Sequence, residues 1–318
     1  MVFHSIALGE VSVDAFFLLS GFMITQAIVR SSGMLAYFQR RALRIYPGYI
    51  AAFLLSVYVF GVAVGANPFG DFAQVLARMA LLQEPGYYSG ELMGLPYPAL
   101  NGSMWTICYE VRAYLLVSAL SAMQLLGNRR LLLAFASLLA VLTVGATFPI
   151  LRTPLDAAAE NQTLKLLVGR PAETVRLLGV FMMGATIFAY WRELDDALDG
   201  QAALRCAAAA AALAFVPHLA EMGVAVFGGL ALFWLASKAD LGPLRRINCE
   251  QDISYGVYLY GWPIANLIRW HFHSLTPLEL ASATLPFAVA AGTASWFLIE
   301  KPALKLVRSQ AIGRRAMS

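Results

Sequence analysis

Nine stretches of mostly apolar residues, each about 17–25 long, recur along this chain. A run of that length crosses the roughly 30 Å hydrocarbon layer of a bilayer as an α-helix. The stretches cover residues 11–29, 48–65, 104–126, 131–150, 173–191, 202–217, 221–237, 254–270 and 279–299. In lipid every backbone polar group must be satisfied within the protein, so helices are the expected answer. The chain therefore reads as an all-α polytopic membrane helix bundle, one transmembrane domain over residues 1–318. The alanine run in 202–217 is weakly apolar and is expected inside the bundle, where small residues let backbones approach closely. Residues 71–83 are too short to span and read as an interfacial helix.

Composition agrees with that class. Of the residues, 59% are hydrophobic and 13% charged, and mean hydropathy is +0.66; soluble domains carry about 45–50% and about 25%. A net charge of only +4 gives nucleic-acid binding no support. Cys108, Cys206 and Cys249 fit neither a metal spacing nor a disulfide framework, and no metal site is expected. The opening MVFHSIALGEVSVDAFF lacks a basic leader, so no cleavable signal is expected.

Loop charges orient the spans. Arg30, Arg40, Arg41, Arg44, Arg129, Arg130, Arg192, Lys238, Arg245, Arg246, Lys301, Lys305, Arg308, Arg314 and Arg315 fall on one side when nine spans alternate. Arg78, Arg152, Lys165 and Arg170 fall on the other, with Arg176 at a helix entrance. The positive-inside rule places the first set, and the C-terminus, in the cytoplasm. The N-terminus then lies outside, which points to a further helix ahead of Met1.

Within this frame the stretch VSVDAFFLLSGFMITQAIVRSSGMLAYFQRRALRIYP, residues 11–47, stands out. It sets Asp14 just inside the outer end of a span and ends in an arginine cluster expected to stop at Pro47. Glu110 lies about two turns into the third span, with Arg112 nearby. Two lone charges in hydrocarbon cost about 5–7 kcal/mol together, so these acids require a partner or a wet cavity. Both arrangements remain open: an interhelical ion pair, with Arg112 a candidate partner for either acid, or a polar cavity reached from outside. His4 precedes the first span on that side and reads either as an interfacial histidine or as a general base for a hydroxyl. His218, His271 and His273 also fall at outer helix ends, and the last two diverge on a helix. Arg40, Arg41 and Arg44 share a helix face suited to phosphate groups, or equally to lipid headgroups. Tyr87, Tyr88 and Tyr97, in a long outer segment, fit an interfacial belt or a sugar-stacking wall.

Taken together and in order, these stretches resemble acyltransferase family 3, membrane proteins that acylate sugars and other acceptors at the far face of the membrane. VSVDAFFLLSGFMI is similar to the family's second helix, RRALRIYP to its cytoplasmic arginine element, and NGSMWTICYEV to its Asn…Trp-Thr…Glu segment. SYGVYLYGWPI and IEKP resemble its closing motifs, although Gly261 departs from the histidine that many members carry there. The resemblance implies a ten-helix fold in a bacterial-type inner membrane and transfer of an acyl group, acetyl in the simplest case, from acyl-CoA. The acceptor implied is a hydroxyl of a carbohydrate or lipid-linked glycan. It also implies His4, Asp14 and Glu110 as catalytic residues, Arg41 and Arg44 as contacts of the CoA phosphates, and Asn101, Trp105 and Tyr109 as substrate contacts. His4 matches the histidine of an Arg-x10-His motif whose arginine would lie ahead of Met1. A carrier or flippase for a glycan, using the same polar cavity without acyl transfer, is the alternative.

Overall fold

The computed structural model describes residues 7–65, 72–85, 98–161, 168–240, 242 and 251–305. Some of its helices begin where a side chain supplies a partner for the otherwise orphaned N–H groups of the first turn. The Glu279 carboxylate accepts from the Thr276 N–H at 2.8 Å, while the Thr276 hydroxyl accepts from the Glu279 N–H at 3.4 Å. Asn128 and Asp199 cap their helices by accepting from Leu131 (3.1 Å) and Ala202 (2.7 Å). Pro171 and Pro277 occupy first-turn positions, where the missing N–H costs nothing.

The helices follow in order: α1 Leu8–Val29, α2 Met34–Gly61, α3 Phe72–Ala80, α4 Ile107–Ala122, α5 Arg129–Gly145 and α6 Pro149–Ala159. Then come α7 Pro171–Ala189, α8 Trp191–Ala197, α9 Gly200–Leu213, α10 Ala220–Ser237, α11 Ser254–His271 and α12 Pro277–Lys305. No strand occurs among the described residues. The ends of α2 and α12 and the middle of α10 relax into π-helical turns.

Among the described residues five helices, α1, α2, α7, α10 and α12, are long and apolar enough to cross a membrane. The pair α5 and α6, bent by 94° at its break, makes a sixth if it is one span. The other expected spans are helical but fall short of this measure. At 1.5 Å per residue, the 16 residues of α4 and the 14 of α9 reach only about 24 and 21 Å. Pro47 corrects another expectation: it does not stop the arginine helix but lies inside α2. A proline in a membrane helix is tolerated where neighbours satisfy the freed carbonyls. The missing N–H leaves the Leu43 carbonyl, four residues back, without its helical donor; nearby, the Tyr255 hydroxyl donates to the Ile45 carbonyl at 3.1 Å.

The described helices belong to two compact units interleaved in sequence: Met1–Met34 with Tyr109–Asp240, and Leu35–Cys108 with Leu241–Ser318. In the first, α1 and α7 run side by side in the same direction and cross at two glycines. A Cβ on Gly21 would stand 1.9 Å from the Phe181 carbonyl oxygen, and one on Gly184 would stand 2.0 Å from that of Leu18. Only glycine permits this backbone approach, and Phe17, Leu18, Phe181 and Met182 are fully buried around it. Gly179 brings α7 against Leu139 of α5, and Gly229 brings α10 against Leu18. In the second unit the same device recurs, with Gly256 of α11 against Gly292 of α12, where a Cβ would stand 2.7 Å from a backbone atom.

Candidate active site

The buried residues of α1 (Asp14, Phe17, Leu18, Gly21, Ile24, Thr25 and Ile28) recur every three or four positions. That spacing carries the Asp14 carboxylate to the packed face of the helix. Its partner is Arg176, in the second turn of α7, whose Nη1 donates to Asp14 Oδ1 at 2.7 Å. The same Nη1 reaches Glu221 Oε1, in the first turn of α10, at 2.8 Å. Nε and Nη2 reach Glu173 Oε2, one turn back on α7, at 3.0 and 2.9 Å.

One guanidinium thus holds three carboxylates where the starts of α1, α7 and α10 meet. The side chains of Asp14 and Arg176 are 3% and 8% exposed, whereas those of Glu173 and Glu221 are 34% and 29% exposed. The cluster is sealed at Asp14 and open at the glutamates. Among the described residues Asp14 Oδ2 is buried and has no hydrogen-bond partner. A buried carboxylate oxygen left unpaired is costly, which marks it as an acceptor awaiting a donor.

The partner of Asp14 among the described residues is therefore Arg176 rather than Arg112. Arg112 lies over the Tyr109 ring, 5.0 Å from its centre. Tyr109 is buried, and its hydroxyl accepts from the Arg170 N–H at 2.9 Å. Gly169 makes this possible: its φ is +90°, and a Cβ there would stand 2.8 Å from both the Tyr109 hydroxyl and Arg112 Nη1. Glu110 is buried and accepts from the Tyr114 hydroxyl one turn on. No hydrogen bond or ion pair joins Glu110 to Asp14, so the two acids do not form one hydrogen-bonded cluster. His4 and the tyrosines 87, 88 and 97 lie outside the described residues. His218 stacks on Phe148 at 4.3 Å and bonds Thr147 at 2.9 Å.

In the second unit, Arg44 donates to Asp252 Oδ2 at 2.6 Å and to Glu300 Oε2 at 2.9 Å. Its guanidinium also lies 5.1 Å from the centre of the Tyr255 ring. The elements RRALRIYP, SYGVYLYGWPI and IEKP, far apart in sequence, converge here. Gly48 completes the fit, since a Cβ there would stand 3.0 Å from Tyr255. Arg41, three residues back, is half-buried, and its Nε has no partner among the described residues. Asn101 is fully buried; its amide donates to Ser56 (3.0 Å) and the Leu259 carbonyl (2.9 Å) and accepts from Ser103 (2.7 Å). Its polar atoms are engaged within the chain, which gives it a structural part. Trp105 is half-buried in the 3-10 turn Gly102–Thr106. Among the described residues no group of three or more His, Cys, Asp or Glu is placed to hold a metal ion.

Arg176, Glu173 and Glu221 escaped the sequence reading. Glu173 and Arg176 are visible there as an i,i+3 pair, but nothing in the spacing points from that pair to Asp14.

Comparison with known proteins fits these motifs. The chain is 26% identical over 338 residues to nodulation protein 10 of Rhizobium leguminosarum bv. viciae, covering 95% of this chain and 84% of that protein. It is 24% identical over 307 residues to an O-acetyl transferase of Shigella phage Sf6, covering 92% and 84%. Acyltransferase MdmB of Streptomyces mycarofaciens is 29% identical over 117 residues, 35% of this chain and 28% of that protein. No solved structure matches. The acyltransferase-domain model matches residues 1–300, nearly the whole chain, and the protein belongs to acyltransferase family 3.

Proposed function

We propose that this protein is an O-acyltransferase that moves an acyl group, acetyl in the simplest case, from acyl-CoA to a hydroxyl of a carbohydrate or lipid-linked glycan. The relative from Shigella phage Sf6, an O-acetyl transferase by name, supports the reaction type. The observation that carries the reading is Asp14: one carboxylate oxygen is fixed by Arg176 and the other is buried with no partner among the described residues.

In this reading the free oxygen accepts from one ring N–H of His4, holding the imidazole as carboxylates do in hydrolytic triads. The other ring nitrogen takes the proton of the acceptor hydroxyl. That oxygen attacks the thioester carbonyl, so a C–O bond forms and the C–S bond breaks. The imidazolium then returns its proton to the departing CoA thiolate. Arg176 orients Asp14, while the more open Glu173 and Glu221 accept from neighbouring acceptor hydroxyls. Glu110 and Tyr109 are assigned to acceptor positioning, and Asn101 to bracing the turn that carries Trp105. Of the arginines implied for the CoA phosphates, Arg44 already has two carboxylate partners, whereas Arg41 Nε has none among the described residues. We read nine spans in a bacterial-type inner membrane, with the arginine-rich loops and the C-terminus in the cytoplasm.

Labelled acyl-CoA added to membranes carrying the protein tests this. Label is expected in the glycan fraction, and it is expected to vanish in His4→Ala at equal protein level. Movement of acceptor across the membrane with no label transferred would replace the enzyme by the carrier.

A further inference from the structure

A second polar feature of the first unit lies at the other end of α1 and α7. Arg30 follows Asp14 by sixteen residues and Arg192 follows Arg176 by sixteen, an axial rise of about 24 Å. There the chain forms an open pocket of about 730 Å³. Arg30, Arg129 and Arg192 line it together with Gln26, and Phe22, Phe188 and Trp191 supply its apolar wall. The aromatic wall is pre-packed, with Phe22 5.5 Å from Phe188 and 5.1 Å from Trp191 between ring centres.

The three guanidiniums are not equivalent. Arg129 pairs with Glu193 and stacks over Tyr190 at 5.1 Å. Glu193's own backbone N–H, and then Arg129, hold its carboxyl below the usual range, so this clamp stays charged near neutrality. Arg30 and Arg192 make no ion pair with any described residue. The lining thus carries three positive groups against one carboxylate, with two of the three available. Guanidiniums offer phosphate bidentate hydrogen bonds, and an aromatic wall beside them suits a flat heterocycle.

We infer that this cavity seats the phosphorylated nucleotide end of the acyl donor, its phosphates on Arg30 and Arg192 and its base against Phe22 and Trp191. The inference rests on the acyl-CoA reading above, and it gives the phosphates to Arg30 and Arg192 rather than to Arg41. An anionic lipid headgroup presents the same phosphate chemistry, but a bare headgroup has no use for the aromatic wall.

The test is calorimetric titration of CoA, dephospho-CoA and pantetheine into the purified full chain in phosphatidylcholine nanodiscs. The wild type is expected to bind CoA, dephospho-CoA more weakly and pantetheine weakest. R30Q/R192Q is expected to lose CoA affinity about 100-fold, about tenfold per charge-assisted contact. R30K/R192K is expected to recover part of that loss, which separates lost charge from lost fold. Equal CoA binding by wild type and R30Q/R192Q overturns the site while leaving the donor reading intact. No CoA binding by the wild type overturns the donor reading and this inference with it. Loss of CoA binding when phosphatidylglycerol replaces part of the phosphatidylcholine, at unchanged protein stability, assigns the cavity to lipid and also overturns the inference.

Discussion

Arg176 in the first unit and Arg44 in the second solve one problem in two ways. Each is a single guanidinium shared among carboxylates contributed by other helices or turns. Around Arg44 the acids are fully engaged: Glu300 gives one oxygen to Arg44 and the other to Ser295, and Asp252 divides its oxygens between Arg44 and Ser254. Around Arg176 three acids share one cation, and the most buried of them keeps an oxygen with no partner among the described residues. A closed set of partners is a staple. A set with an unspent acceptor has stored a cost that a bound hydroxyl or imidazole can relieve, and such arrangements are characteristic of sites that do chemistry.

Four substitutions press on this difference. Arg176→Ala should cost most, about 3–5 kcal/mol, because it strands a buried carboxylate; thermal melting in detergent measures it, and adding Asp14→Asn should recover a large part. Asp14→Asn alone should leave melting nearly unchanged, since an amide oxygen still accepts from Arg176, yet lower acyl transfer by about 100-fold or more. If transfer instead tracks only the amount of folded protein, Asp14 is a staple too and the contrast disappears. Arg44→Ala should cost about 2–3 kcal/mol, less than its counterpart because the side chain is 25% exposed although Glu300 is 1% exposed. Transfer per folded molecule should hold in that variant; a specific loss of activity would make the second cluster functional as well. Asp252→Asn should be smallest, under about 1 kcal/mol, as the aspartate is 41% exposed.

One charged member of each cluster was legible in the sequence. Asp14 and Glu110 stood out because charges in apolar runs are expensive, and Arg44 because three arginines share a helix face. Their partners did not stand out. The Asp14–Arg176 pair joins residues 162 apart, and Arg44 reaches 208 residues to Asp252 and 256 to Glu300. Helical periodicity assigns a side chain to a face but never names the helix opposite. The same limit explains Arg112, near Glu110 in sequence yet laid over Tyr109. It also explains Pro47, whose helix-stopping tendency was overridden once α2 packed among its neighbours.

From its sequence alone this protein was determined to be a helical membrane chain, to carry the ordered motifs of its family, and to contain acids that require an answer. Apolar length, local capping and the cost of charge in lipid are properties of short segments, and they act before any tertiary contact exists. The tertiary structure decided which guanidinium answers which acid, which carboxylate oxygen stays unspent, and where three arginines and an aromatic wall line one open pocket. Those outcomes depend on where glycines such as Gly21 and Gly184 let particular backbones touch, and that fit exists only once the helices have packed.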